Sequence, residues 1–192
     1  MQIVLATHNK GKMVELDNLL PSSYEVLTLD QFPDIGDIPE TGKTLKENAF
    51  IKSDIVNSIT GLPALGDDTG LEVDALNGQP GIFSARYAGE KATYKDNCDK
   101  LLKELKSTPF IERKARFRTV IAFTDKDRRL WADGTVEGSI AIEPKGTSGF
   151  GYDSVFFYPP LKKTFAELEK DEKNSISHRG NALRNFLVKF KN

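Results

Sequence analysis

At 192 residues the chain is long enough to bury one substantial core, and 39% hydrophobic against 29% charged residues is the balance of an ordinary soluble globular protein. A formal charge of −1 gives no global attraction for polyanions, which argues against a nucleic-acid-binding face and makes any anion site a local one. The single cysteine, Cys98, excludes an internal disulfide and a cysteine-built zinc cage, and suits a reducing cytoplasm.

The opening MQIVLA is too short for a signal sequence, and no apolar run reaches membrane-spanning length, so a cytoplasmic location away from membranes is expected. Gln2 to Ala6 is a continuous apolar run that predicts a strand covered on both faces. The polar loop THNKGK follows, and Met13, Leu16 and Leu20 then recur at helical spacing. YEVLTL predicts a second strand. Beyond the Pro/Gly/Asp-rich segment from Pro33 to Gly42, a long helix is predicted from about Thr44 to Ile59. Leu71, Val73 and Ala75 alternate with Glu72 and Asp74, as in a half-buried strand. TYKDNCDKLLKELK reads as an amphipathic helix with Tyr94, Cys98, Leu101, Leu102 and Leu105 toward the core. ARFRTVIAF, RLWADGTVEGSI and DSVFFY are further predicted strands, and Leu183, Phe186, Leu187 and Phe190 mark a terminal helix. This order argues for a mixed α/β sheet, and no linker divides the chain, so one domain over residues 1–192 is expected.

Five places hold candidate chemistry. ATHNKGK joins a strand to a helix start, where free backbone N–H groups, the positive helix end, Lys10 and Lys12 would suit a phosphate; a solvated helix start is the ordinary alternative, and the Walker A spacing is absent. In the long helix Lys52 falls on the stripe of Leu45, Ala49, Val56 and Ile59, so its ammonium either meets an inward anion or snorkels to water. Asp67 and Asp68 stand between apolar runs, where the Asp-Thr-Gly that follows reads equally as a turn or as a site. In extended backbone the two would face opposite ways and would not form a close dyad. Mg²⁺ would favour the site, with Glu40 as a second carboxylate. In GTSGFGYD, glycines flank Phe150, and Phe150 or Tyr152 would either stack on a flat ring or join the core. Finally, Ser175 or Ser177 would cap a helix whose first turn holds His178 and Arg179, cations at the end that favours anions.

Taken in order, ATHNKGK, ETGKTLKENAFIK, GDDTGLEVDALNGQPGIFSARYAG, GFGYDSVFF and EKNSISHRGNAL resemble the Ham1/RdgB family of inosine triphosphate pyrophosphatases over nearly the whole chain. The resemblance implies an elongated mixed β-sheet flanked by helices, in two lobes with a central substrate cleft. It also implies a Mg²⁺-dependent homodimer that hydrolyses non-standard purine nucleoside triphosphates (ITP, dITP, XTP) to the monophosphate and pyrophosphate. By matching position, Thr7, His8, Asn9, Lys10, Gly11 and Lys12 correspond to a phosphate loop, and Lys52 to a phosphate-contacting lysine. Asp68 corresponds to the general base and a metal ligand, Asp67 to its neighbouring acid, Glu40 to a metal-associated carboxylate, and Thr69 to a substrate-contacting hydroxyl. Phe150, Gly151, Tyr152, Asp153, Lys173, His178 and Arg179 match the nucleoside-binding set. His8 stands where many members have Gly, which leaves its role open. Competing readings are a pyrophosphatase of Maf or Nudix type and a nucleotide sensor without turnover; the Nudix acidic cluster and the Ser/Arg-rich Maf opening are both missing.

Overall fold

In the computed structural model, which describes residues 1–191, the chain forms two compact units. The first comprises Met1–Asp68, Thr119–Gly134 and the segment from His178 onward; the second comprises Thr69–Arg118 and Thr135–Ser177.

The first unit begins with strand β1 (Gln2–Leu5), helix α1 (Lys10–Leu19) and strand β2 (Glu25–Thr28). Strand β1 pairs in parallel with β2, Ile3 opposite Val26, and also with β3 (Ala64–Val73), Val4 opposite Ala64. Parallel neighbours on both edges explain the unbroken apolar run, since Ile3, Val4 and Leu5 are all fully buried. Helix α2 (Leu45–Thr60) starts where Thr44 Oγ1 accepts the Glu47 N–H at 3.1 Å, and it ends on Gly61 at φ +69°. Strands β5 (Lys114–Thr124) and β6 (Arg129–Ile140) continue the sheet order β2-β1-β3-β5-β6. Helix α5 (His178–Lys191) packs on α1. One core of this unit gathers Leu5, Leu16, Leu65, Phe123 and Phe186; another gathers Val4, Leu29, Val56 and Ala64. Ile59, predicted to face inward, is 55% exposed, because the stripe drifts off the buried face before the helix ends.

In the second unit, β4 (Pro80–Gly81) pairs antiparallel with β3, and β7 (Phe156–Tyr158) lies antiparallel between β6 and β8 (Lys163–Thr164). Helices α3 (Tyr94–Glu104) and α4 (Lys170–Ile176) complete it. Its core holds Leu71, Leu101, Phe117, Val155, Phe156 and Phe165, with Phe117 and Phe156 centred 4.5 Å apart. Two expectations fail here. Tyr94, expected in the core, is exposed at the first position of α3, where Thr93 and Asp96 form a capping box. Ala75 leaves the strand for a 3-10 turn at Asp74–Leu76.

The Asp-Thr-Gly segment is not a turn. Residues 67 to 70 remain extended within β3. The flanking glycines serve close approach: a Cβ on Gly66 would overlap the Ala49 carbonyl of α2, and one on Gly70 would lie 2.8 Å from the Gly81 carbonyl of β4. Gly66 thereby lets α2 lie directly on the strand that carries both aspartates.

Candidate active site

With α2 pressed on β3, Lys52 cannot snorkel. It is 7% exposed, and its Nζ lies 2.7 Å from Asp68 Oδ1, 2.6 Å from Glu40 Oε1 and 3.1 Å from the Asp67 carbonyl oxygen. Asn48, one helical turn earlier, donates from Nδ2 to Asp68 Oδ2 at 3.3 Å, while its Oδ1 accepts the Gly42 N–H at 2.8 Å. This second bond anchors the segment after Glu40. Burial lowers the affinity of Lys52 for its proton, but Asp68 and Glu40 outweigh burial and leave its pKa raised. Burial drives the Asp68 carboxyl the other way, and its pKa stays above the ordinary value despite Lys52 and Lys12. A carboxyl so placed holds a proton more readily than a solvated one, as suits a group that accepts a proton during a reaction.

Asp67 points to the opposite side of the strand, as alternation requires. Its Oδ1 pairs with Lys12 Nζ at 2.5 Å and its Oδ2 accepts from Arg179 Nε at 3.0 Å. Burial would raise this carboxyl, yet Arg179 and Lys12 hold it well below the usual carboxylate range. Arg179, 1% exposed, also donates through Nη1 to Glu15 on α1. Sequence reasoning missed Glu15. Its signal was a carboxylate three residues after Lys12 and one before Leu16, on a helix turn that must touch the sheet.

In the N-terminal loop, Asn9 caps α1 by accepting the Lys12 N–H at 3.1 Å, and Thr7 Oγ1 accepts the Asn9 N–H at 3.1 Å. Gly11 lies in the first turn of α1, and Lys10 is exposed. His8, also exposed, places Nε2 3.2 Å from the Gly36 carbonyl oxygen, tying the loop to the Pro33–Gly42 segment. His178 is buried at the start of α5, where its carbonyl would overlap a Cβ on Gly134.

The second unit holds the remaining candidates. Thr69 is half-buried on β3. Lys173 Nζ pairs with Asp153 Oδ2 at 2.5 Å and lies 5.1 Å from the Phe150 ring centre, and the Phe150 N–H donates to the same Asp153 oxygen at 2.8 Å. Lys173, Asp153 and Phe150 thus hold one another. Phe150 is half-buried and Tyr94 lies 6.0 Å from it, ring centre to ring centre. Tyr152, by contrast, is a core residue, with its hydroxyl donating to the Ser84 carbonyl at 2.9 Å; of the two aromatics only Phe150 keeps a surface to offer. Gly151 supplies its carbonyl to Cys98 Sγ at 3.4 Å.

Among the described residues no three His, Cys, Asp or Glu side chains gather as a metal-binding cluster. The groups placed to share a cation are Glu40 and Asp68, both within 2.7 Å of the same ammonium. A hard divalent ion that takes one or two protein carboxylates and otherwise water or phosphate oxygen matches that donor set.

The chain is similar to several known proteins. Proteins named dITP/XTP pyrophosphatase from Desulforamulus reducens and Geobacter sulfurreducens are 50% and 48% identical to this chain. Those matches cover 96% and 95% of this chain, and 92% of each relative. A HAM1 protein structure from Coxiella burnetii superposes with a TM-score of 0.89 at 42% identity, covering 100% of this chain and 98% of that one. The Staphylococcus aureus Ham1 protein gives 0.87 at 40% identity, with both chains fully covered. A sequence profile of the Ham1 family matches residues 3–189, and with relatives at about half identity over nearly their full length, the chain belongs to the Ham1 family.

Proposed function

We propose that this protein hydrolyses non-standard purine nucleoside triphosphates (dITP, XTP and ITP) to the nucleoside monophosphate and pyrophosphate, as a Mg²⁺-dependent homodimer in the cytoplasm. The carrying observation is the buried Asp68 carboxylate, set between the Lys52 ammonium and the Asn48 amide, with Glu40 on the same ammonium. The names of the relatives support the substrate class. No helix among the described residues is long and apolar enough to cross a membrane.

Glu40 and Asp68 would hold the Mg²⁺, which when bound withdraws charge from the phosphate oxygens. Asp68 orients a water molecule and takes its proton as the water oxygen attacks the α-phosphorus. The bond from that phosphorus to the bridging oxygen breaks, and pyrophosphate leaves with the electron pair. Lys12 and Lys52 offset the charge that develops on it, so positioning and charge stabilisation carry most of the acceleration. In the second unit, Phe150 offers a stacking face and Lys173 a donor for the keto oxygen of hypoxanthine or xanthine. Adenine presents an amino group there, and leaving a buried donor unpaired costs about 1–3 kcal/mol.

The test is Asp68→Asn with dITP and Mg²⁺, reading pyrophosphate release and nucleotide binding separately. Turnover is expected to fall by about 10²–10⁴-fold, the share of general-base action, with binding retained. Near-wild-type turnover removes Asp68 from the mechanism. Activity on ATP equal to that on dITP and XTP defeats the base assignment, and sedimentation reads the dimer directly.

A further inference from the structure

Asp67 and three other charges form a ring that closes through helix α1. From Glu15 on α1 it passes to Arg179 on α5, then to Asp67 on β3, and returns to α1 at Lys12, one helical turn before Glu15. Signs alternate around it. Glu15, Arg179 and Asp67 are 7%, 1% and 1% exposed, and the Lys12 side chain is 14% exposed. Arg179 meets the two carboxylates through separate N–H groups of one rigid plane, Nε toward Asp67 and Nη1 toward Glu15, a fixed geometry that an ammonium does not have. Lys12 also directs its Nζ toward the Asp67 carbonyl oxygen, at 3.4 Å.

We propose that Glu15 is a positioning residue for the triphosphate: by balancing Arg179 it fixes Asp67, and Asp67 fixes the Lys12 ammonium at the mouth of the N-terminal loop. This rests on the phosphate reading of that loop. Without Glu15, Arg179 bears more strongly on Asp67 and competes with Lys12 for it. Lys12, which also feels the repulsion of Lys52 and Arg179, is then held less firmly in place.

The inference predicts the opposite sign from plain charge counting. Replacing Glu15 by glutamine removes a negative charge near a polyanion site, and Coulomb's law alone would then tighten polyanion binding. The ring requires it to weaken. The experiment is calorimetric binding of inorganic tripolyphosphate with Mg²⁺, a probe without a base, to the full chain. Glu15→Gln is expected to weaken binding by about tenfold, the worth of one charge-assisted hydrogen bond. Arg179→Lys should do the same and serves where Glu15→Gln does not fold. In a Lys12→Met background either substitution should change affinity by less than about twofold, because the residue they act through is gone. Unchanged or tighter binding by folded Glu15→Gln, or an equal loss in the Lys12→Met background, overturns the proposal. So does a wild-type chain that binds no tripolyphosphate. Wild-type protein that shows the expected binding pattern but releases no pyrophosphate from dITP or XTP sinks the proposed reaction and leaves the ring's role standing.

Discussion

Replacing Lys52 with methionine keeps the bulk of the side chain within α2 and removes the one charge that Asp68 and Glu40 share. At an effective dielectric of about 20, a contact of 2.6 or 2.7 Å is worth about 6 kcal/mol before desolvation is subtracted. Desolvation of the buried lysine takes back part of this, and Glu40, with its side chain 26% exposed, is partly screened. The net cost of breaking such a pair is about 3–5 kcal/mol, because Asp68 remains buried without that cation. For a chain of this size that corresponds to a fall of about 6–20 °C in melting temperature. The deficit depends on pH. Burial already raises the Asp68 pKa, and removing Lys52 raises it further. A carboxyl raised in the folded state contributes stability below its unfolded pKa and loses it as pH rises through the folded value. The variant should therefore lie closer to wild type at pH 5 than at pH 8. Thermal unfolding read by circular dichroism and by the single tryptophan, Trp131, measures both effects. Melting within about 2 °C of wild type at pH 8 would show that the ammonium is not held by these carboxylates.

Two further outcomes follow from the second unit. Burial pushes the Cys98 thiol up to about 11 from an ordinary 9.0, so iodoacetamide at pH 8 should label the native chain at least about a hundredfold more slowly than the urea-unfolded one. Stability from the protonated thiol is present below pH 9 and is lost as pH rises through about 11; labelling at equal rates would refute the burial. Gly149 sits at φ +76°, and a Cβ there would overlap Asp153 Oδ2, the oxygen that holds both the Phe150 N–H and Lys173. Gly149→Ala should raise KM for dITP by about tenfold and change kcat by less than about threefold; an unchanged KM would separate this loop from substrate binding.

Much of the local structure was legible because local rules govern it. Threonine at position 44, glutamate at 47 and glycine at 61 bound α2 through caps that depend on neighbours a few residues away. The alternation from Ala115 to Phe123 marked β5 in the same way. Strands β4 and β8 have two residues each and α4 has seven, too short for a period to show, and they exist because distant segments complete their hydrogen bonds and packing. Tyr94 lies at the edge of a helical stripe, where the pattern cannot say whether the first turn reaches the core.

The site divides along the same line. The helical period puts Lys52 on the inward stripe without deciding whether its head reaches water, and Asp67 and Asp68 face opposite ways only once the segment is extended, which the structure decided. Which charge meets which follows from neither period. The sequence separation between Arg179 and Asp67 is 112 residues, and between Arg179 and Glu15 it is 164. No local rule spans such distances, and a glutamate inside a helix resembles any solvated one. Only close packing of α1, α5 and β3 excludes water there, and once water is gone each buried charge requires a partner of opposite sign. The charged residue types of the candidate site were therefore written in the chain, while their pairing was decided by the tertiary structure, because electrostatic partners are chosen by distance in space and by the loss of solvent.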